Sequence, residues 1–145
     1  MEDIAPAEMT GRCVEVPARV RFSETDAAGI VYYPAFFTWF VLGTDAILRS
    51  CEGTITRADG RPRWMVPAVE SGATFISPLF YDDEITIRSW ITEVKRTSFR
   101  AEHRIYKRDV LSARGFEVRV NVRHDGKRHV QDDKLQHCRQ VVQIL

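Results

Sequence analysis

The spacing of apolar residues changes twice along this chain. Between residues 14 and 22, apolar and polar residues alternate, which is typical of a half-buried strand. From residue 34 to about residue 50, apolar residues recur at helical spacing and form one broad face. After a polar loop over residues 54–63, the alternation returns. The pattern therefore predicts a strand, one long helix and then several antiparallel strands.

The second half of the chain is predicted to contain most of the sheet. Strands are predicted over residues 72–77, 84–95, 97–108 and 116–122, with a weaker edge segment over residues 141–145. Asp125-Gly126 follows the clearest strand and is a strong hairpin signal. One amphipathic helix cannot cover both faces of such a sheet, so the sheet must curl around the helix or be covered by another subunit. Both solutions favour an oligomer.

Glycine and proline mark the limits of the predicted helix. Pro34 suits the first helical position, where a missing N–H is harmless. Gly43 lies inside the helix, where glycine costs about 1 kcal/mol relative to alanine. A close approach of the helix backbone to the sheet would explain why it is tolerated. Gly53 is suited to end the helix.

Composition is that of an ordinary globular protein. The chain has 145 residues, 44% of them hydrophobic and 28% charged, which favours one compact domain, predicted over residues 13–145. Residues 1–12 contain proline, glycine and several acids without periodicity, which predicts a loose arm. The net charge of +1 gives no general reason to expect nucleic acid or a membrane as partner. No apolar run could span a bilayer, and the acidic N-terminus does not resemble a signal peptide. Three scattered cysteines favour reduced thiols and a cytoplasmic location.

Asp26 is the first candidate for chemistry. It lies in the small-residue turn between the first predicted strand and the helix. Aspartate very commonly caps such a turn, and from spacing alone this is the more frequent role. A helix N-terminus also offers N–H groups to a carbonyl oxygen. A carboxylate beside it could attack an activated acyl group or deprotonate a water molecule that does.

A family resemblance appears at this turn. Residues 25–34 read Thr-Asp-Ala-Ala-Gly-Ile-Val-Tyr-Tyr-Pro, which resembles the signature of hotdog-fold acyl-CoA thioesterases of the 4-hydroxybenzoyl-CoA thioesterase type. Tyr81-Asp82-Asp83 and residues 95–99 follow in the order of that family, and the similarity covers residues 14–130. The resemblance implies an α+β hotdog fold, in which a curved antiparallel sheet wraps a long central helix. It also implies dimerisation into a continuous sheet, with active sites at the interface of a homodimer or homotetramer.

The resemblance also implies roles for individual residues. Asp26 would be the nucleophile or general base, and the backbone N–H of Tyr33 would polarise the thioester carbonyl. Gly29 would let the loop approach the acyl group closely. These roles agree with the physical argument for Asp26, so the catalytic interpretation becomes the favoured one.

Further residues are implied to bind the substrate. By their place in the family, Lys95, Arg96 and Ser98 would contact the phosphates of coenzyme A, which suit forked and point-charge donors. A basic strand end is about as often only a solvated turn. Tyr32 and Trp64 are candidates for the wall of an acyl pocket that fits a ring or a short chain.

Other chemistries find little support in the sequence. Hotdog hydratases need a histidine five residues after the aspartate, where this chain has Val31. His103 lies on an apolar strand face, where a satisfied core residue is the usual role. Histidine spacing predicts no metal site, and no serine lies in a nucleophile elbow.

The predicted function is hydrolysis of an aromatic (4-hydroxybenzoyl-like) or short-chain acyl-CoA to free acid and coenzyme A. No cofactor is expected beyond the coenzyme A of the substrate. Two alternatives stay open at this point: a non-catalytic hotdog module that binds acyl-CoA or an acyl carrier protein, and a thioesterase that acts on carrier-protein thioesters. Mixed-anhydride formation and activation of water also stay open as mechanisms.

Overall fold

One long helix lies against a five-stranded antiparallel sheet in this computed structural model. The structure describes residues 13–52, 58–61 and 65–122. The strands follow the spatial order β1-β3-β4-β5-β2, which confirms the predicted strand–helix–strands architecture. The elements are β1 (Val14–Arg19), α1 (Tyr33–Glu52), β2 (Ala68–Phe75), β3 (Glu84–Val94), β4 (Ser98–Lys107) and β5 (Val110–Val120).

Several predictions concern residues outside this description. They are the arm over residues 1–12, the helix end at Gly53, the Asp125-Gly126 hairpin and the edge segment over residues 141–145. Among the described residues, no helix has both the length and the apolar character needed to cross a membrane.

The first strand ends sooner than the alternation predicted. β1 stops at Arg19, and Phe22 opens a short 3-10 helix, Phe22–Glu24, with 76% of its surface exposed. The chain turns here because the Thr25 hydroxyl donates to the Phe22 carbonyl at 2.7 Å, while the Glu24 carboxylate accepts the Arg21 N–H at 2.9 Å. The placement of Phe22 on the buried strand face was therefore wrong.

The last described strand begins earlier than predicted. β5 starts at Val110, directly after a two-residue turn in which Arg108 has a φ of 53°. Its first half was missed because the helix-facing residues there are small, Ala113 and Gly115. Small side chains on the inner face weaken the alternation of large apolar residues on which strand prediction depends.

The core lies between α1 and the face of the sheet on which it packs. Large side chains from both layers are almost completely excluded from solvent, and burial of this apolar surface is the main driving force for the fold. The most deeply buried members are Trp39, Phe40, Leu79, Ile87, Phe99 and Ile105.

Two glycines allow the helix to lie unusually close to the sheet. A Cβ at Gly43 would lie 2.0 Å from the Ser89 hydroxyl, so the helix backbone rests directly on β3. A Cβ at Gly115 would lie 2.3 Å from the Phe40 ring, so this ring packs against the backbone of β5. The close approach predicted from Gly43 is confirmed.

A cluster of four polar side chains, here called the polar seat, lies on the sheet beneath Gly43. It consists of Ser89 on β3, His103 on β4, and Glu117 and Arg119 on β5. The His103 ring bridges the strands, with 2.7 Å from Nδ1 to the Ser89 hydroxyl and 3.1 Å from Nε2 to the Glu117 carboxylate. Arg119 binds the other Glu117 oxygen. His103 is only 1% exposed and stacks on Phe40, which confirms it as a satisfied core residue.

The polar seat holds a carboxylate in the ionised state. Burial alone would raise the pKa of Glu117. Hydrogen bonds from His103 and Thr44, together with the charge of Arg119, outweigh burial and lower the pKa below its ordinary value of 4.5. A buried carboxylate with a lowered pKa stabilises the native state above its unfolded-state pKa, and this contribution is lost as the pH falls through the folded-state value.

Glu117→Gln is expected to lower the free energy of unfolding at pH 7 by about 2–3 kcal/mol, because the glutamine keeps the shape but not the charge that pairs with Arg119. Urea denaturation at a series of pH values measures this difference. The difference in free energy of unfolding between wild type and variant should become smaller as the pH falls below about 4.5. A gap that stays constant down to low pH would contradict the lowered pKa.

Candidate active site

The turn that carries Asp26 is closed by backbone hydrogen bonds. The Asp26 N–H donates to the Ile30 carbonyl at 3.0 Å, and the Gly29 N–H donates to the Asp26 carbonyl at 2.9 Å. A β-bridge between Thr25 and Val31 joins the two ends of the turn. Gly29 has a φ of 80°, a conformation that glycine adopts at low cost. The position of Asp26 is thus fixed by main-chain geometry.

The two oxygens of the Asp26 carboxylate have different surroundings. Oδ1 accepts the Ala28 N–H at 2.9 Å and so caps the turn. Oδ2 accepts no hydrogen bond from the described residues, and the side chain is exposed. The capping role considered from the sequence is therefore confirmed for one oxygen, and the other oxygen is available for chemistry.

The helix starts beside this turn. The Tyr32 N–H donates to the Glu24 carbonyl at 2.7 Å, which ties the residue just before α1 to the segment that leads into Asp26. Pro34 has no N–H, and the Tyr33 N–H donates to no acceptor among the described residues. A free amide at the positive end of a 20-residue helix can polarise a carbonyl oxygen.

Aromatic rings surround the helix start. The Tyr32 and Tyr33 rings lie 5.4 Å apart, and both are largely exposed. Phe36 contacts Phe75 at the end of β2, with ring centroids 5.0 Å apart. These rings offer an apolar surface next to the free amide. Trp64, predicted as a wall of the acyl pocket, lies outside the described residues.

The predicted coenzyme A contacts lie at the other end of the sheet. Residues 95–97 form the turn between β3 and β4. Ser98 is the first residue of β4, and its backbone carbonyl accepts the Lys95 N–H at 2.8 Å. Lys95 also lies 3.6 Å from Glu93, and Arg96 is exposed. Asp26 follows β1, which pairs with the start of β3, whereas Lys95 follows its end. An 11-residue strand spans roughly 35 Å.

Within one chain, the structure thus brings together only some of the predicted site residues. Asp26, Gly29, Tyr32 and Tyr33 form one group at the N-terminal end of α1. Lys95, Arg96 and Ser98 form a second group at the opposite end of the sheet.

One structural element of the site was not recognised from the sequence. The Leu79 carbonyl accepts the Val31 N–H at 2.8 Å and so clamps the Asp26 turn onto the segment before β3. Asp83 holds that segment by accepting the Phe80 N–H at 2.9 Å and pairing with Lys107 at 2.9 Å. Only the family order of Tyr81-Asp82-Asp83 hinted at this role, because a carbonyl contact 48 residues away in sequence leaves no local pattern.

Comparison with known proteins agrees with this geometry. Residues 20–140 match the family model of the thioesterase-like superfamily, which is most of the chain. The chain belongs to the thioesterase-like superfamily. Among curated relatives of this thioesterase, the 4-hydroxybenzoyl-CoA thioesterase of Pseudomonas sp. (strain CBS-3) is 30% identical over 132 residues, covering 81% of this chain and 88% of the relative.

Solved structures of related thioesterases show the same fold. A gentisyl-coenzyme A thioesterase superposes with a TM-score of 0.73 at 29% identity, covering 85% of this chain and 99% of the other. A variant of 4-hydroxybenzoyl-CoA thioesterase in complex with 4-hydroxybenzoyl-CoA gives 0.73 at 27% identity, covering 88% and 99%. The hotdog fold and acyl-CoA thioesterase activity predicted from the sequence are confirmed. A purely binding module is not favoured.

Proposed function

We propose that this thioesterase hydrolyses an aromatic acyl-CoA, with Asp26 as the reacting carboxylate and the Tyr33 amide as the oxyanion donor. The observation that carries the proposal concerns two hydrogen-bonded segments. One holds an Asp26 oxygen and the other the Tyr33 N–H, and neither group makes a hydrogen bond with the described residues. Gly29 leaves the turn open on the side of the acyl group in this proposal, because no described residue other than its two chain neighbours has an atom within 4 Å of the place where its Cβ would be.

Two routes fit this arrangement. In the first, an Asp26 oxygen attacks the thioester carbon, the carbon–sulfur bond breaks, coenzyme A leaves as the thiolate, and water then hydrolyses the mixed anhydride. In the second, Asp26 takes a proton from a water molecule that attacks the same carbon directly. Both routes place negative charge on the carbonyl oxygen, which the Tyr33 N–H stabilises.

The aromatic surface at the helix start favours an aromatic acyl group over a short aliphatic one. Tyr32 and Tyr33 present exposed rings there, and aromatic pairs favour edge or offset packing with a further ring. Named relatives act on ring substrates: 4-hydroxybenzoyl-CoA, gentisyl-coenzyme A and, at 27% identity over 88 residues, 1,4-dihydroxy-2-naphthoyl-CoA in Gloeothece citriformis.

A second copy of the chain completes the site in this proposal. β2 forms an edge of the described sheet, and exposed Val69 and Phe75 lie on it. Antiparallel pairing of β2 with its copy extends the sheet across a two-fold axis, which reverses the direction of the partner sheet. The turn over residues 95–98 of the second copy then comes to the end of the sheet at which Asp26 of the first copy lies. Lys95, Arg96 and Ser98 would bind the coenzyme A phosphates across this dimer or in a tetramer.

No cofactor is needed for this reaction, because the substrate brings its own leaving group. Coenzyme A enters only as part of the substrate, and a carboxylate, a backbone amide and water supply the remaining groups. The reduced cysteines suggested by the sequence favour action in the cytoplasm.

A substrate panel tests the proposal. Aromatic acyl-CoA esters are expected to give a kcat/KM roughly tenfold or more above that of short-chain and long-chain acyl-CoA esters. This is the usual size of the discrimination that filling an apolar pocket provides. Release of free thiol provides the readout. The same aromatic acyl group on N-acetylcysteamine, which lacks the nucleotide, should raise KM. A preference for short aliphatic esters would contradict the aromatic assignment.

A further inference from the structure

The contact between α1 and the sheet is mostly apolar. Apolar attraction has no direction, whereas a hydrogen bond fixes the distance and the angle between its two partners. A reaction that depends on the amide at the start of a helix needs that amide at a fixed distance from the reacting carboxylate. A directional contact between α1 and the sheet defines the position of that amide more narrowly than packing alone.

Thr44 supplies such a contact. Its hydroxyl donates to the Glu117 carboxylate at 2.6 Å and lies 3.5 Å from Nε2 of His103. Among the described side chains of α1, no other makes a hydrogen bond to the sheet. Thr44 is completely buried, so solvent does not compete for this bond.

The Glu117 carboxylate, which accepts the Thr44 hydrogen bond, is itself held by several neighbours. Ser89 and His103 link β3 to β4, and His103 and Arg119 hold both oxygens of Glu117. Arg119 also donates to the Val66 carbonyl at 3.0 Å. The polar seat is therefore tied to three central strands and to the segment before β2, and it can act as a fixed reference for the helix.

Gly43 makes the contact specific for one register. A Cβ at this position would lie 2.0 Å from the Ser89 hydroxyl and 2.9 Å from Nδ1 of His103. Only a glycine fits above the seat. The neighbouring Ala46 or Leu42 could not take its place without a clash, because each carries a Cβ. The Thr44–Glu117 hydrogen bond and the close packing of Gly43 on the polar seat therefore select the same position of the helix.

We propose that Thr44 is a positioning residue. Its hydrogen bond fixes the position of α1 along its own axis relative to the sheet, and thereby the position of the Tyr33 amide beside Asp26. The helix is continuous from Tyr33 to Thr44, a distance of roughly 16 Å at 1.5 Å per residue. A shift at Thr44 is therefore carried to the helix start. A misplacement of about 1 Å at a reacting group can cost up to about 10²-fold in rate. This inference rests on the proposed role of Tyr33.

Thr44→Val tests the proposal, because valine keeps the shape of threonine and removes the hydroxyl. The variant is expected to lower kcat about tenfold with little change in KM, since the substrate-binding surface is unchanged. Thr44→Ser restores the hydroxyl and should recover most of the loss. Assays with an aromatic acyl-CoA are run well below the thermal midpoint of each variant, so that all are fully folded.

Ile47→Val is the matched control. It lies on the same face of α1, is buried in the second apolar cluster with Leu48 and Phe99, and makes no polar contact with the seat. It should lower the thermal midpoint without lowering kcat. Equal losses of kcat in Ile47→Val and Thr44→Val would overturn the proposal, as would an unchanged kcat in Thr44→Val. If Thr44→Val does not fold, Thr44→Ala takes its place, because alanine has better helix propensity. The same comparison of its kcat with those of wild type and Ile47→Val then decides the proposal.

The result is separable from the test of the proposed function. An inactive Asp26→Asn variant together with a fully active Thr44→Val variant would overturn the positioning role alone. An active Asp26→Asn variant would overturn the proposed chemistry, whatever Thr44 does.

Discussion

Asp26→Asn is expected to lower kcat for an aromatic acyl-CoA by about 10²- to 10⁴-fold or more, the usual contribution of a reacting or proton-accepting carboxylate. The substitution is mild for the fold. Asparagine keeps the side-chain oxygen that accepts the Ala28 N–H, so the turn and the helix start should retain their geometry. The loss should therefore appear in kcat, with an unchanged thermal midpoint.

Asp82→Asn is the matched control for this variant. Asp82 is an exposed carboxylate on the neighbouring segment, where it pairs with Arg19 at 3.3 Å. It has a φ of 70°, a conformation that asparagine also adopts readily. Its replacement should leave kcat within about twofold of wild type, because an exposed ion pair contributes little. Wild-type hydrolysis by a folded Asp26→Asn variant would show that Asp26 is not the reacting group.

Single-turnover hydrolysis in ¹⁸O-labelled water separates the two routes. Label in the Asp26 side chain shows that a mixed anhydride formed and that water attacked its Asp26 carbonyl carbon. Label found only in the released acid is the result of direct attack by water and also of water attack at the acyl carbon of the anhydride, so label in Asp26 is the decisive outcome.

Gly43→Ala is expected to lower the free energy of unfolding by about 2–3 kcal/mol, the scale of an overpacked core. The new methyl group would lie 2.0 Å from the Ser89 hydroxyl and 2.9 Å from the His103 ring. Helix propensity works in the opposite direction, since alanine is about 1 kcal/mol better than glycine inside a helix. The steric term is larger because both neighbours are held in the polar seat and cannot retreat. Urea denaturation measures the change.

The double variant with Ser89→Ala gives the sharper test. Removal of the Ser89 hydroxyl takes away the atom nearest to the new methyl group, so Gly43→Ala should cost less in the Ser89→Ala background than in wild type. Additive effects would show that the two residues do not touch. An increase in stability on Gly43→Ala alone would contradict the close approach of helix and sheet.

The limits of sequence-based prediction are visible at particular residues. The alternation over residues 84–95 and 97–108 located β3 and β4 closely, because both strands carry large apolar residues on one face. The same reasoning failed at Phe22 and at the first half of β5. In the first case, side-chain and backbone hydrogen bonds turn the chain out of the sheet. In the second, Ala113 and Gly115 make room for the Phe40 ring.

The sequence by itself determined the architecture and the candidate Asp26–Tyr33 chemistry, because helix and strand periods, turn residues and the motif at residues 25–34 are local in the chain. Tertiary structure decided which candidates meet. It placed Asp26 and Tyr33 together and the Lys95 turn at the far end of the sheet. It also set Thr44 on a seat drawn from three strands. Such contacts join residues 14 to 73 positions apart, and no local pattern encodes where distant strands bring their side chains.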